Sequence, residues 1–102
     1  MLYHIDVEID YGALGARRDE LLRAEWDKTA ELIERGIALA EWRKASGRGV
    51  IAVWDCASHE ELNDILRGLP IGPYLTRVEV VPMVEHPLWP KGRLKAAKFS
   101  GE

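Results

Sequence analysis

Two periodicities alternate along this chain, and their order restricts the fold more than any other feature. Residues 2–10 place Tyr3, Ile5, Val7 and Ile9 on one side and His4, Asp6, Glu8 and Asp10 on the other, the pattern of a half-buried strand. After the turn YGALG, a helical pattern runs from about Ala16 to Arg35, and Gly36 stands where a left-handed residue closes a helix. Two strand-like runs, 38–45 and 49–55, flank Ser46-Gly47-Arg48-Gly49, a connection suited to a hairpin. Ser58 and Glu61 form a capping box ahead of a second helix in which Leu62, Ile65, Leu66 and Leu69 share one face; Pro70, Gly72 and Pro73 end it. Residues 75–84 read as the last strand, with Pro82 directing its end toward a sheet edge or an irregularity. Strand, helix, strand, strand, helix, strand is the split βαβ order. It predicts an α+β, ferredoxin-like βαββαβ fold with one antiparallel sheet and both helices on one face. The other face, with His4, Asp6 and Glu8, is left for a second subunit to cover.

At 102 residues, 47% of them hydrophobic, the chain suffices for one core and not for two domains. Its single cysteine, Cys56, excludes an internal disulfide framework and fits a reducing cytoplasm. No apolar run reaches the roughly 20 residues that span a bilayer, and the start MLYHIDVEID does not resemble a signal peptide. A net charge of −3 is a poor footprint for nucleic acid. Residues 91–102 hold Lys91, Arg93, Lys95 and Lys98 against one acid, so a basic tail follows an acidic body. Such a tail is expected to be solvated or to lie across a neighbouring subunit, not to bind nucleic acid or membrane.

Glu25 is the most informative residue. At about 100° per residue it falls between Leu32 and Thr29, inside the arc of the first helix that should face the sheet. Burial there would raise its pKa toward the range of a general base, unless it serves in a structural ion pair with a cation such as Arg43. Arg43 offers planar donors for a carboxylate or a developing enolate. Trp26, Trp42, Trp54 and Tyr74 are each explained by core packing, yet together can wall an apolar pocket for a small organic ligand. His4 and His86 lie far apart with no H-x-x-x-H spacing, so no metal is expected. His59, in the first turn of the second helix, is expected in solvent, and Cys56 as a buried, inert thiol. The GALG segment lacks the spacing of a phosphate-binding loop.

The segments MLYHI, Ala24-Glu25, E-W-R at 41–43, V-W-D at 53–55, S-H-E-E-L at 58–62, L-P-I-G-P-Y at 69–74, V-E-V at 78–80 and E-H-P at 85–87 follow one another in a recognisable order. Over residues 1–88 the chain resembles the muconolactone isomerase family, with L-P-x-x-P-Y and the later H-P the most specific parts; residues 89–102 form the tail. The resemblance implies a ferredoxin-like subunit in a ring-like homo-oligomer, commonly a decamer, acting in bacterial aromatic catabolism. It also implies a cofactor-free shift of a double bond in an unsaturated lactone acid, through a dienolate. Glu25 then matches the helix-one glutamate that shuttles the proton, while Trp42 and Arg43 match W-R, Tyr74 matches P-Y and His86 matches H-P. The expected site therefore has Glu25 and Arg43 as catalytic groups, with His4, Trp26, Trp42, Trp54, Tyr74 and His86 as substrate contacts.

The chain departs from the family where Leu39-Ala40 replaces Arg-His and where Gly47 and Val50 replace His and Asn, which makes the pocket less polar. The expected function is a cofactor-independent isomerase of a small unsaturated lactone or related carbonyl acid. The alternatives are a non-catalytic binding or accessory protein on the same scaffold, or a different reaction such as cyclisation or dehydration.

Overall fold

Each period-two run becomes a strand and each helical run a helix in the computed structural model, which describes residues 1–88. The order is β1 (Leu2–Ile9), α1 (Arg18–Glu34), β2 (Ala38–Arg43), β3 (Gly49–Asp55), α2 (His59–Gly68) and β4 (Leu75–Met83). The strands form one antiparallel sheet in the order β2-β3-β1-β4. The expected tail, and with it any seat on a neighbour, lies outside the described residues. Among the described residues no helix is long and apolar enough to cross a membrane.

Local chemistry sets the helix ends. A 3-10 segment, Tyr11–Arg17, occupies the turn and delays α1 by about two residues relative to the periodicity; the Asp10 carboxylate accepts the Ala13 N–H at 3.1 Å and starts that tighter turn. At the far end Gly36 adopts φ 73°, its N–H donates to Ile33 O, and Ile37 N–H donates to Leu32 O, both at 3.0 Å. These are the two bonds of a Schellman closure, which a left-handed glycine allows. Ser58 Oγ accepts from Glu61 N–H at 3.1 Å, the half of the capping box that satisfies an otherwise orphaned donor. Strand β2 stops at Arg43, two residues early, because Lys44 already joins the turn, accepting from Gly47 N–H at 2.9 Å.

The alternation of β1 sorts the two faces of the sheet. Tyr3, Ile5, Val7 and Ile9 are buried against Leu32 of α1 and Leu62 and Leu66 of α2. On the opposite face Lys44, just past β2, pairs with Asp6 (2.5 Å) and Glu8 (3.4 Å) of β1, and Arg77 of β4 pairs with Asp6 (3.5 Å) and with Glu79 of its own strand (2.7 Å). Cys56 is 1% exposed, and burial pushes its thiol up, away from a nucleophile's range. His59 is exposed, as expected, and its Nδ1 also lies 2.6 Å from Tyr3 Oη, so the ring closes over a buried hydroxyl.

One irregularity in β2 matters for everything that follows. Ala38 stands opposite Trp54, but Ala40 stands opposite Val53, so Leu39 is an extra residue in the strand. A one-residue insertion moves each later side chain to the other face. Glu41, opposite Ala52, and Arg43, opposite Val50, therefore join the helix-facing side of the sheet.

Candidate active site

Between α1 and the sheet lies a cavity of about 260 Å³, walled by Ile5, Val7 and Ile9 of β1, Leu22 of α1, Leu66 of α2, and Leu69 and Ile71 beyond it. Its polar groups are few. Glu25 enters from α1, Glu41 and Arg43 from β2, Trp54 from β3, and Tyr11 and Thr29 complete the set; Trp26 and Trp42 border it at an exposed rim, 64% and 40% accessible. A largely apolar hollow with a few converging polar groups is the usual form of a small-molecule site.

The two carboxyl groups differ in their anchors. Glu25 Oε1 accepts the Ile71 N–H at 3.3 Å, a bond that joins α1 to the segment after α2. Burial pushes Glu25 above the usual carboxylate range, the Ile71 N–H draws it back, and Glu41 adds to the rise whenever it is ionised. Glu41 Oε1 accepts the Trp54 indole N–H at 2.8 Å. Burial raises Glu41 as well, with the Trp54 hydrogen bond opposing. Among the described residues neither carboxylate forms an ion pair with a cation, so the structural Glu25–Arg43 bridge is not made; Arg43 is exposed at the rim.

The cavity brings together Glu25, Arg43, Trp26 and Trp54 of the expected site, while Trp42 touches its edge from a register position, opposite Ile51, that belongs to the other face of the sheet. It does not include His4, Tyr74 or His86. His4 projects with Asp6 and Glu8 from the opposite face of β1, because alternation allows one strand only every second residue on a given side. Tyr74 ends a short 3-10 turn, where its carbonyl accepts the Asp10 N–H at 2.8 Å and its side chain packs against the core. His86 follows β4 past Met83, the partner of Leu2, whereas the cavity lies toward Val7 and Ile9; its Nδ1 accepts Leu88 N–H at 3.1 Å.

Glu41 was not among the expected site residues. Unbroken alternation from Ala38 would turn Ala40 and Trp42 inward and Glu41 outward, and nothing local in ALAEWR marks Leu39 as the extra residue. Among the described residues no group of three or more His, Cys, Asp or Glu is placed to hold a metal ion. What the arrangement can do is move a proton: one carboxylate on a helix, a second on a strand, and apolar walls to exclude water.

Comparison with known proteins agrees with this geometry. The sequence pattern describing muconolactone delta-isomerase matches residues 1–88. The Muconolactone Delta-isomerase of Cupriavidus pinatubonensis is 29% identical over 89 residues, covering 85% of this chain and 96% of that protein. Its namesake from Rhodococcus opacus is 32% identical over 87 residues, covering 83% and 92%. A crystal structure of muconolactone isomerase superposes with a TM-score of 0.75 at 29% identity, covering 87% of this chain and 94% of the other. The 5-chloro-2-hydroxyhydroquinone dehydrochlorinase of Burkholderia phenoliruptrix, solved with 2,5-dihydroxybenzoquinone, matches at TM-score 0.68 and 15% identity over 84% and 96% of the two chains, a likeness of fold alone.

Proposed function

Because the chain belongs to the muconolactone delta-isomerase family, we propose that it is a cofactor-independent isomerase that moves the double bond of a small unsaturated lactone acid, muconolactone or a close relative. The observation that carries this reading is Glu25: a carboxylate in an apolar cavity, fixed by the Ile71 N–H and free of any ion-pair partner among the described residues. It removes a proton from the carbon conjugated through the double bond to the lactone carbonyl. The C–H electrons pass into the π system and onto the carbonyl oxygen, giving a dienolate; the same carboxyl returns the proton to the carbon next to the carbonyl. Arg43 at the rim suits the substrate's own carboxylate.

The same reading takes the protein to be a homo-oligomer, with a decamer the size its family suggests, whose subunits meet through the open sheet face. A cytoplasmic role in the breakdown of aromatic compounds completes it. The test is solvent deuterium exchange into muconolactone and a panel of enolisable lactones, followed by NMR. Exchange is expected, with Glu25→Gln lowering it by about a thousandfold or more while the fold persists. A Glu25→Gln protein with full activity excludes the shuttle. No exchange anywhere in the panel replaces the isomerase with a binding protein, the reading favoured by the apolar residues Leu39, Ala40 and Val50 at positions where the family is polar.

A further inference from the structure

The helix carboxylate has a counterpart across the cavity. Glu41 reaches the helix-facing side only because Leu39 is inserted in β2, and there its Oε1 takes the Trp54 N–H at 2.8 Å. The indole N–H can only donate, so it assigns Oε1 the acceptor role whether or not the carboxyl is ionised. The other oxygen, Oε2, is left to carry a proton or a charge.

Two carboxylates facing one apolar cavity resist being ionised together, since their repulsion grows as a ligand displaces water. The other titratable or charged groups that face this space are Tyr11 from the 3-10 segment and Arg43 from β2, the latter exposed at the rim; the walls from β1, α2 and β4 are apolar. If Glu25 is the ionised base, the proton shared by the pair resides on Glu41. We infer that Glu41 works as a protonated carboxyl whose Oε2–H donates a hydrogen bond to the substrate's carbonyl oxygen, the atom on which charge gathers when Glu25 takes a proton. This rests on the isomerase reading and adds a second catalytic residue to it.

The balance is simple. The C–H bond breaks, its proton goes to Glu25, and its electron pair ends on the carbonyl oxygen; Glu41 keeps its O–H bond throughout and only tightens its hydrogen bond. Return of the proton from Glu25 to the neighbouring carbon restores the carbonyl and both starting carboxyl states. A neutral acid serves here because a donor fixed in a dry site stabilises the developing oxyanion without reorganising.

Three measurements on the full chain decide it. In carbon-13 spectra of protein labelled at glutamate side chains, the resonance that disappears in Glu41→Gln should have the protonated shift at pH 7. Glu41→Leu, which cannot donate, should lower the exchange rate about a hundredfold. Glu41→Gln keeps an acceptor for Trp54 and a donor for the substrate, so it should stay within about tenfold of the unsubstituted protein. It should also lose the fall in rate at high pH that deprotonation of Glu41 imposes. An ionised Glu41 at pH 7, an unimpaired Glu41→Leu, or a high-pH fall that survives in Glu41→Gln overturns the proposal while leaving Glu25 as the base. A protein that exchanges no lactone proton at all defeats the isomerase reading, and this proposal with it.

Discussion

A carboxylate held in an apolar cavity works against the stability of the fold that holds it. Glu25 and Glu41 both have values raised in the folded state, chiefly by burial, so the folded protein binds their protons more tightly than the unfolded chain does. The stability this contributes is complete below the unfolded value of roughly 4.3 and is lost as pH rises through the raised folded values. Glu25→Gln removes the charge and keeps the shape and the acceptor for Ile71 N–H. It should therefore melt at a higher temperature than the unsubstituted protein at pH 8, and the advantage should narrow toward pH 4. Thermal unfolding at several pH values checks this, and a gap independent of pH would show that Glu25 carries no burial penalty. Asp6, on the other face, has the opposite sign: the hydrogen bond from Lys44 lowers it, so its contribution holds above the unfolded value and fades as pH falls through the lowered one.

At the scale of elements, the pairing of β1 with β3 decides how well the cavity is walled. Gly49 opens β3 opposite Glu8, and a Cβ added there would run into the carbonyl oxygen of Val7. The close approach keeps β3 against the strand that supplies Ile5, Val7 and Ile9 to the cavity. Gly49→Ala must push the strands apart or bend the turn, at a cost of about 1–3 kcal/mol. Chemical denaturation should show that loss in the midpoint, together with weaker amide protection in β1 and β3. An unchanged midpoint would mean that the hairpin yields without strain.

At the scale of the whole molecule, the sheet has one face under helices and one without. On the bare face Val81 is 52% exposed, and the ion-paired residues Asp6, Glu8, Lys44, Arg77 and Glu79 lie at one end. Apolar residues beside a row of mixed charge suit a second copy of the same surface, in which acids of one subunit meet the lysine and arginine of the other. The proposed homo-oligomer should therefore appear in native mass spectrometry of the full chain. Reversing the row with Lys44→Glu and Arg77→Glu should shift the population to smaller species. A monomer from the unsubstituted chain rules out self-association.

Much of this was legible along the chain, because it depends on neighbours in sequence. The order of elements, the two faces of β1, the Ser58 cap and the closure at Gly36 follow from local periodicity and local hydrogen bonding. Glu25 was legible too, since 3.6 residues per turn places it between Leu32 and Thr29 whatever the rest of the fold does. The other half of the site belongs to tertiary structure. One extra residue at Leu39 reverses the sides of everything after it in β2, and an insertion of this kind is defined only against the partner strand. Glu41 thus gains Trp54, thirteen residues away, and Glu25 gains the Ile71 N–H, forty-six residues away. His4, Tyr74 and His86 stay outside for the same kind of reason: residue type makes a side chain able to serve a site, and the register and ends of the strands decide which cavity it can reach.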